Sequence, residues 1–185
     1  MKTKFAILSA LLFLSSVLGV STLYAQSNSA TTTLNIKLNP IQTITVNPGA
    51  IHQEVDLNYT TQEDYKIGVS EVRANHLMVF STGGFQVKVK SGEFLSNGTV
   101  NIAATDVAIL ATASGHNVTN SVTEAVQLGL VEKPLITSTK GGRDLEYNVV
   151  YNNKTEIVDR YINLYKKEGD KNTFTTTVTY TIAAN

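Results

Sequence analysis

The segment Thr173-Phe174-Thr175-Thr176-Thr177-Val178-Thr179-Tyr180-Thr181-Ile182-Ala183, close to the end of the chain, decides how the rest is read. Taken two residues at a time, Phe174, Thr176, Val178, Tyr180 and Ile182 share one face, and Thr175, Thr177, Thr179 and Thr181 share the other. Every residue but Ala183 is β-branched or aromatic, a type that packs well on a pleated surface and loses side-chain freedom in a helix. The run predicts a full-length strand with an apolar inner face, closing a sheet.

The same alternation recurs upstream. Leu34, Ile36 and Leu38 alternate with Asn35 and Lys37, which predicts a half-buried strand over 31–38. Pro40 interrupts it, 41–46 resumes extended structure, and Asn47-Pro48-Gly49 ends it as a turn. A third alternating run covers 54–59. Thr61 followed by Asp64 is a helix start, with one or two turns through Tyr65 to Ile67. The glycine pair in Ser81-Thr82-Gly83-Gly84 predicts a hairpin between 76–80 and 85–90, its glycines at positive φ. Asn97-Gly98 marks another turn, Val107–Ala113 and Ala125–Leu128 are apolar runs, and Lys140-Gly141-Gly142-Arg143 leads into an alternating strand over 145–151. Ile157, Val158, Tyr161, Ile162 and Tyr165 repeat at helical spacing, which suggests a short helix or crossover. Short strands with frequent turn signals, and no long helices between them, predict an all-β fold: a two-sheet antiparallel Ig-like β-sandwich with one or two short helical turns.

Lys2 and Lys4 precede an apolar run from Phe5 to Val20 and then Ser21-Thr22-Leu23-Tyr24-Ala25-Gln26. These are the parts of a secretory signal peptide, so residues 1–25 are read as a signal cut after Ala25 and 26–185 as a single β-sandwich domain. The apolar run is shorter than a spanning helix needs, and no membrane span is expected in the mature chain. The chain is therefore expected to be exported, as a secreted, extracellular or cell-surface protein. The full chain has a formal charge of +0, and loss of Lys2 and Lys4 leaves the mature part slightly acidic, which gives no reason to expect nucleic acid as a partner. With no cysteine there is no disulfide, thiolate metal site, thiol nucleophile or lipidated cysteine. The hydrophobic core alone must hold the domain, as 160 or so residues can.

Reactive motifs are missing from this sequence. His52, His76 and His116 are far apart and read as polar surface or strand-end residues. No metalloprotease, nucleophile-elbow or phosphate-loop pattern occurs. The stretch 168–172 has too few acids for a calcium loop and reads as a turn. No catalytic, cofactor-binding or metal-binding residue is assigned, no cofactor is expected, and the chain is read as a non-enzyme. Tyr147, Tyr151, Tyr161 and Tyr165 could form sugar-binding platforms, although a core explains their spacing equally well and is preferred. Asn58, Asn97, Asn117 and Asn153 each begin an Asn-x-Thr triplet, read as turn and strand-edge polarity.

The ending from Asn172 to Ile182 resembles the closing strand of bacterial surface β-sandwiches, including fimbrial subunits of the spore-coat-U and chaperone–usher kind and WxL-type cell-wall domains. Leu34–Val46 and Phe80–Lys90 are similar to short secreted sandwich proteins of flavobacteria. The chain departs from these in having no tryptophan and no cysteine. The resemblance implies adhesion or a pilus-like structural role, with Thr31–Leu38 as a strand that could complete the sheet of another subunit, although pairing within its own domain is the preferred reading. The expected partners are the protein itself or other surface subunits by strand pairing. The alternative is a carbohydrate-binding module whose partners are glycans. A hydrolase would require a pocket with coupled carboxylates or a Ser/His pair.

Overall fold

The computed structural model describes residues 28–114, 121–154, 159–165, 167 and 172–185. The signal peptide read over 1–25, His116, Asn117, Ile157, Val158 and residues 168–171 lie outside the described residues. The chain divides into two units, Met1–Lys37 and Leu38–Asn185.

In the first unit, 28–37 is exposed and joins no ladder, so the strand expected over 31–38 is not paired here. The second unit carries the strands β1 (Gln42–Val46), β2 (Ser70–Ser81), β3 (Phe85–Ser91), β4 (Leu95–Ser96), β5 (Asn101–Ile102) and β6 (Ala108–Ala113). They are followed by β7 (Ser121–Thr123), β8 (Val126–Gln127), β9 (Lys133–Ser138), β10 (Gly142–Asn152) and β11 (Val178–Ala184). Two short helices, α1 (Ala50–Gln53) and α2 (Gln62–Ile67), and 3-10 turns at Ala104–Asp106 and Ile162–Leu164 complete it.

One sheet has the order β1-β2-β10-β6-β8 and the other β11-β3-β9-β7, with β4 and β5 as a separate hairpin; all described pairings are antiparallel. This is the expected all-β, two-sheet sandwich with short helical turns. The core is the alternating inner face of each sheet: Leu77, Val79, Leu145, Tyr147 and Val149 from one, and Phe85, Val87, Val89 and Ile136 from the other. Each such side chain contributes about 1.5–3 kcal/mol by leaving water.

Several expectations are corrected. Segments 76–80 and 85–90 do not form a hairpin: β2 and β3 belong to different sheets. The Ser81–Gly84 link is a corner that carries the chain across the sandwich, and neither Gly83 nor Gly84 has positive φ. Ser81 Oγ donates to the Gly83 carbonyl at 2.7 Å, and Ser138 Oγ donates to the Lys140 carbonyl at 2.8 Å in a matching corner between β9 and β10. Alternation fixes which side chains face inward, and both arrangements satisfy it. The closing strand starts at Val178 rather than Thr173; Thr175 makes only a bridge to Ser96. The inward lean of Phe174, Thr176, Val178, Tyr180 and Ile182 nevertheless follows the expected period. Residues 54–59 are extended, with Val55, Leu57 and Tyr59 partly covered, but they pair with no strand.

The helix start at Thr61 is as expected. Thr61 Oγ1 accepts from the Asp64 amide at 3.2 Å and Asp64 Oδ2 accepts from the Thr61 amide at 2.7 Å, a reciprocal cap. Hydrogen bonds from the Thr60 and Thr61 amides hold the Asp64 carboxyl below its ordinary range. Gly68, at φ 82°, ends the helix, and a Cβ there would strike the Asn153 carbonyl.

The sandwich has two dissimilar ends. At one, the corners pack together, Thr82 and Ile41 exchange backbone and side-chain hydrogen bonds, and the Asn185 amide donates to the Gly84 carbonyl at 3.2 Å. At the other, beyond Val46 of β1 and Val178 of β11, the edges separate.

Candidate functional site

The separated edges flank an open groove of about 990 Å³ that reaches the core between the sheets. One wall is the unpaired run 54–59; the other is 172–177. The floor includes Val107, Leu128, Tyr151 and Tyr180. The second wall hangs on the chain beside it: Thr175 and Ser96 exchange backbone hydrogen bonds at 3.0 Å, and the Gly92 amide donates to the Thr177 carbonyl at 2.8 Å. The first wall has no such support. Among the described residues, Val55–Asn58 form no backbone hydrogen bond.

That first wall is fastened at its two ends by polar side chains. At its start, His52 on α1 meets His76 on β2, Nδ1 to Nδ1, at 3.2 Å. The other ring nitrogen of His76 lies 2.8 Å from the Tyr151 hydroxyl, which lies 2.7 Å from the Tyr180 hydroxyl. The chain of contacts thus runs from α1 through one sheet into the other. A β-bulge aims His76 inward. Asn75 takes φ 50°, its amide donates to Asn148 Oδ1 at 2.8 Å, and the register between β2 and β10 shifts there, so His76 and Leu77 are both buried in succession. Burial, with lesser contributions from the His52 and Arg73 charges, pushes the His76 imidazole down to about 4. Burial also raises both tyrosine hydroxyls.

At its far end, the Tyr59 hydroxyl donates to Asn153 Oδ1. Asn153 Nδ2 donates to the Asp106 carbonyl and the Tyr161 hydroxyl, each at 3.0 Å, and Asp106 Oδ1 takes the Arg160 guanidinium at 2.6 Å. Burial pushes the Tyr161 hydroxyl up to about 12 and the Tyr59 hydroxyl higher still.

The histidines therefore differ from the sequence expectation: His52 and His76 are buried and in contact rather than exposed and apart. Twenty-four residues separate them, and nothing in that spacing announces the contact. Tyr147 and Tyr151 are buried in the core as preferred, while Tyr161 stands at the groove with Tyr59 and Tyr65. Of the Asn-x-Thr positions, Asn97 caps its turn by accepting from the Thr99 and Val100 amides, whereas Asn153 is buried in the cluster just described. No group of three or more His, Cys, Asp or Glu among the described residues could hold a metal ion. No helix among them is long and apolar enough to cross a membrane. No protein-family model matches the chain, and no curated protein matches it.

Proposed function

We propose that this is an exported, non-enzymatic surface protein with an adhesive or pilus-like structural role, acting by contact between copies. The carrying observation is an unmatched pair: an extended arm with no ladder, and a groove with an unpaired wall. Leu34, Ile36 and Leu38 of the arm are 86%, 82% and 89% exposed, an unusual condition for three aliphatic side chains in a row at strand period. The groove offers Val55, Leu57, Phe174 and Val178 at the same period, with free backbone groups along 55–58. The occupant proposed for the groove is the 31–38 arm of a second copy, its backbone supplying affinity and its alternate side chains the register.

Carbohydrate binding is the alternative from another class. Tyr59 packs on Tyr65 at 5.2 Å and 58°, and on Tyr161 at 5.5 Å and 79°. These rings cover one another instead of standing in a row as flat platforms, which favours the first reading.

Sedimentation of residues 26–185 over a wide concentration range tests the proposal. Expected are linear chains or arm-exchanged dimers, suppressed by a synthetic peptide of Thr31–Asn39. A strict monomer at high concentration that also ignores the peptide would rule out strand donation.

A further inference from the structure

We propose that the His52–His76 contact is an acid-released latch on the 54–59 wall, so that the groove takes up an extended strand at neutral pH and loses it in acid. This rests on the strand-accepting reading of the groove.

Two Nδ1 atoms at 3.2 Å share one hydrogen, so one of them must be bare. The remaining links can be ordered either way: Tyr180 to Tyr151 to His76 to His52, or the reverse. Either order needs one bare Nδ1, so the contact tolerates at most one protonated imidazole. Once both rings are protonated, both Nδ1 atoms are donors, the contact has no acceptor, and two like charges face each other in a buried site.

Among the described residues no carboxylate pairs with either imidazole; Glu54 and Asp56 are the acids of the adjoining wall. From β2, Arg73 adds positive charge, and Glu71 is already engaged by Arg73. From the start of the wall, Glu54 contributes its backbone carbonyl, which accepts from Arg73 Nη2 at 3.5 Å, while from β10 and β11 come the hydroxyls of Tyr151 and Tyr180. From β1 comes Val46, which does not titrate. The rings must therefore part, and one partner is far easier to move. His76 sits in a strand laddered on both sides. His52 sits in a four-residue helix with no side-chain cap, leading directly into a wall without backbone hydrogen bonds. Acid thus displaces α1 and the wall behind it, and the groove loses one side. By linkage, a strand that binds the closed wall excludes the same protons, so its affinity falls as pH falls.

The test uses the full mature chain at low concentration with a fluorescent Thr31–Asn39 peptide. Backbone amide chemical shifts of 53–58 and the two imidazole titrations are read on the same samples by NMR. Between about pH 7.5 and about pH 4.5, peptide affinity is expected to fall by about tenfold or more. Over the range where both imidazoles gain protons, the 53–58 amide shifts are expected to move while those of the β2–β10 ladder stay in place. His52→Gln, which keeps a hydrogen-bonding side chain but cannot gain the charge, is expected to flatten the pH dependence. Wall amide shifts that do not follow the imidazole titration in the wild-type chain would overturn the latch, whether or not the variant folds. Absence of peptide binding at every pH, with wall amide shifts still tracking the titration, would instead sink the strand-accepting reading and leave the latch standing.

Discussion

Gly141 lies so close to Ser81 that a Cβ on it would enter the space of the Ser81 carbonyl and come within 2.6 Å of the Gly83 amide nitrogen. Two corners, each carrying the chain from one sheet to the other, are packed backbone against backbone at this point. Gly84 faces the Ser138 carbonyl across the same junction, its own Cβ position 3.1 Å away. This end of the sandwich is therefore fixed by main-chain contact, whereas at the other end the 54–59 wall is held by side chains.

Gly141→Ala is expected to cost about 3 kcal/mol or more, because neither neighbouring backbone can yield without disturbing its own corner. Gly83→Ala is the matched control: open space surrounds it and its φ is not positive, so its effect is expected within about 0.5 kcal/mol. Urea melts of the two variants check this. Equal costs would mean that the corners are not in contact.

Val87 is fully buried between the sheets, Val178 is partly buried at the groove, and Thr179 points to solvent. Aspartate at these positions is expected to produce three grades: no folding for Val87→Asp, a loss of about 1–3 kcal/mol for Val178→Asp, and less than about 1 kcal/mol for Thr179→Asp. Thermal melts that fail to separate Val178→Asp from Thr179→Asp would reverse the facing assigned to β11.

Truncation of 26–38 is expected to leave the monomer's melting temperature unchanged within about 2 °C, since the arm joins no ladder of the sandwich. The paired change Leu34→Asp and Ile36→Asp is expected to abolish self-association in sedimentation while leaving the melt intact. A drop of many degrees in either case would show that the arm completes its own sandwich.

His76 gives the fold a defined sensitivity to acid. Its folded value of about 4 lies below the 6.5 of an unburied imidazole, so the unfolded chain binds more protons between those limits. Stability is complete above the upper limit and falls as pH drops towards the lower one, by about 1.4 kcal/mol per pH unit at most for one site. Urea melts at closely spaced pH values are expected to show this slope in the wild-type chain and to lose most of it in His76→Gln. An unchanged slope in the variant would assign the acid sensitivity to other groups.

Alternation made β3, β10 and the inner face of β11 legible from sequence, because each strand has one wet and one buried face. It could not tell a hairpin from a crossover, and it could not report whether an edge has a partner. Residues 54–59 carry the same pattern as β3 and form no ladder. β9 escaped the pattern for a different reason. Pro134 cannot donate, and the strand accommodates it at a bulge where Leu135 and Ile136 are buried in succession, which breaks the period. The candidate site was the least legible part. The His52–His76 contact depends on the Asn75 bulge and on the path of α1, both products of tertiary packing. The cap at Thr61 was readable because it is local, three residues long and chemically reciprocal.

The bond pair between Ile41 and Thr82 holds the start of β1 at the end with the packed corners, while the groove opens at the opposite end. A join between the arm of one copy and the groove of another, when it is not reciprocated as in an arm-exchanged dimer, has no two-fold axis. Every added copy uses up one vacancy and brings another, so a filament built this way has a direction, with two chemically different tips. Its length is not written into the subunit; termination requires ring closure or a distinct protein that fills the last groove without offering an arm.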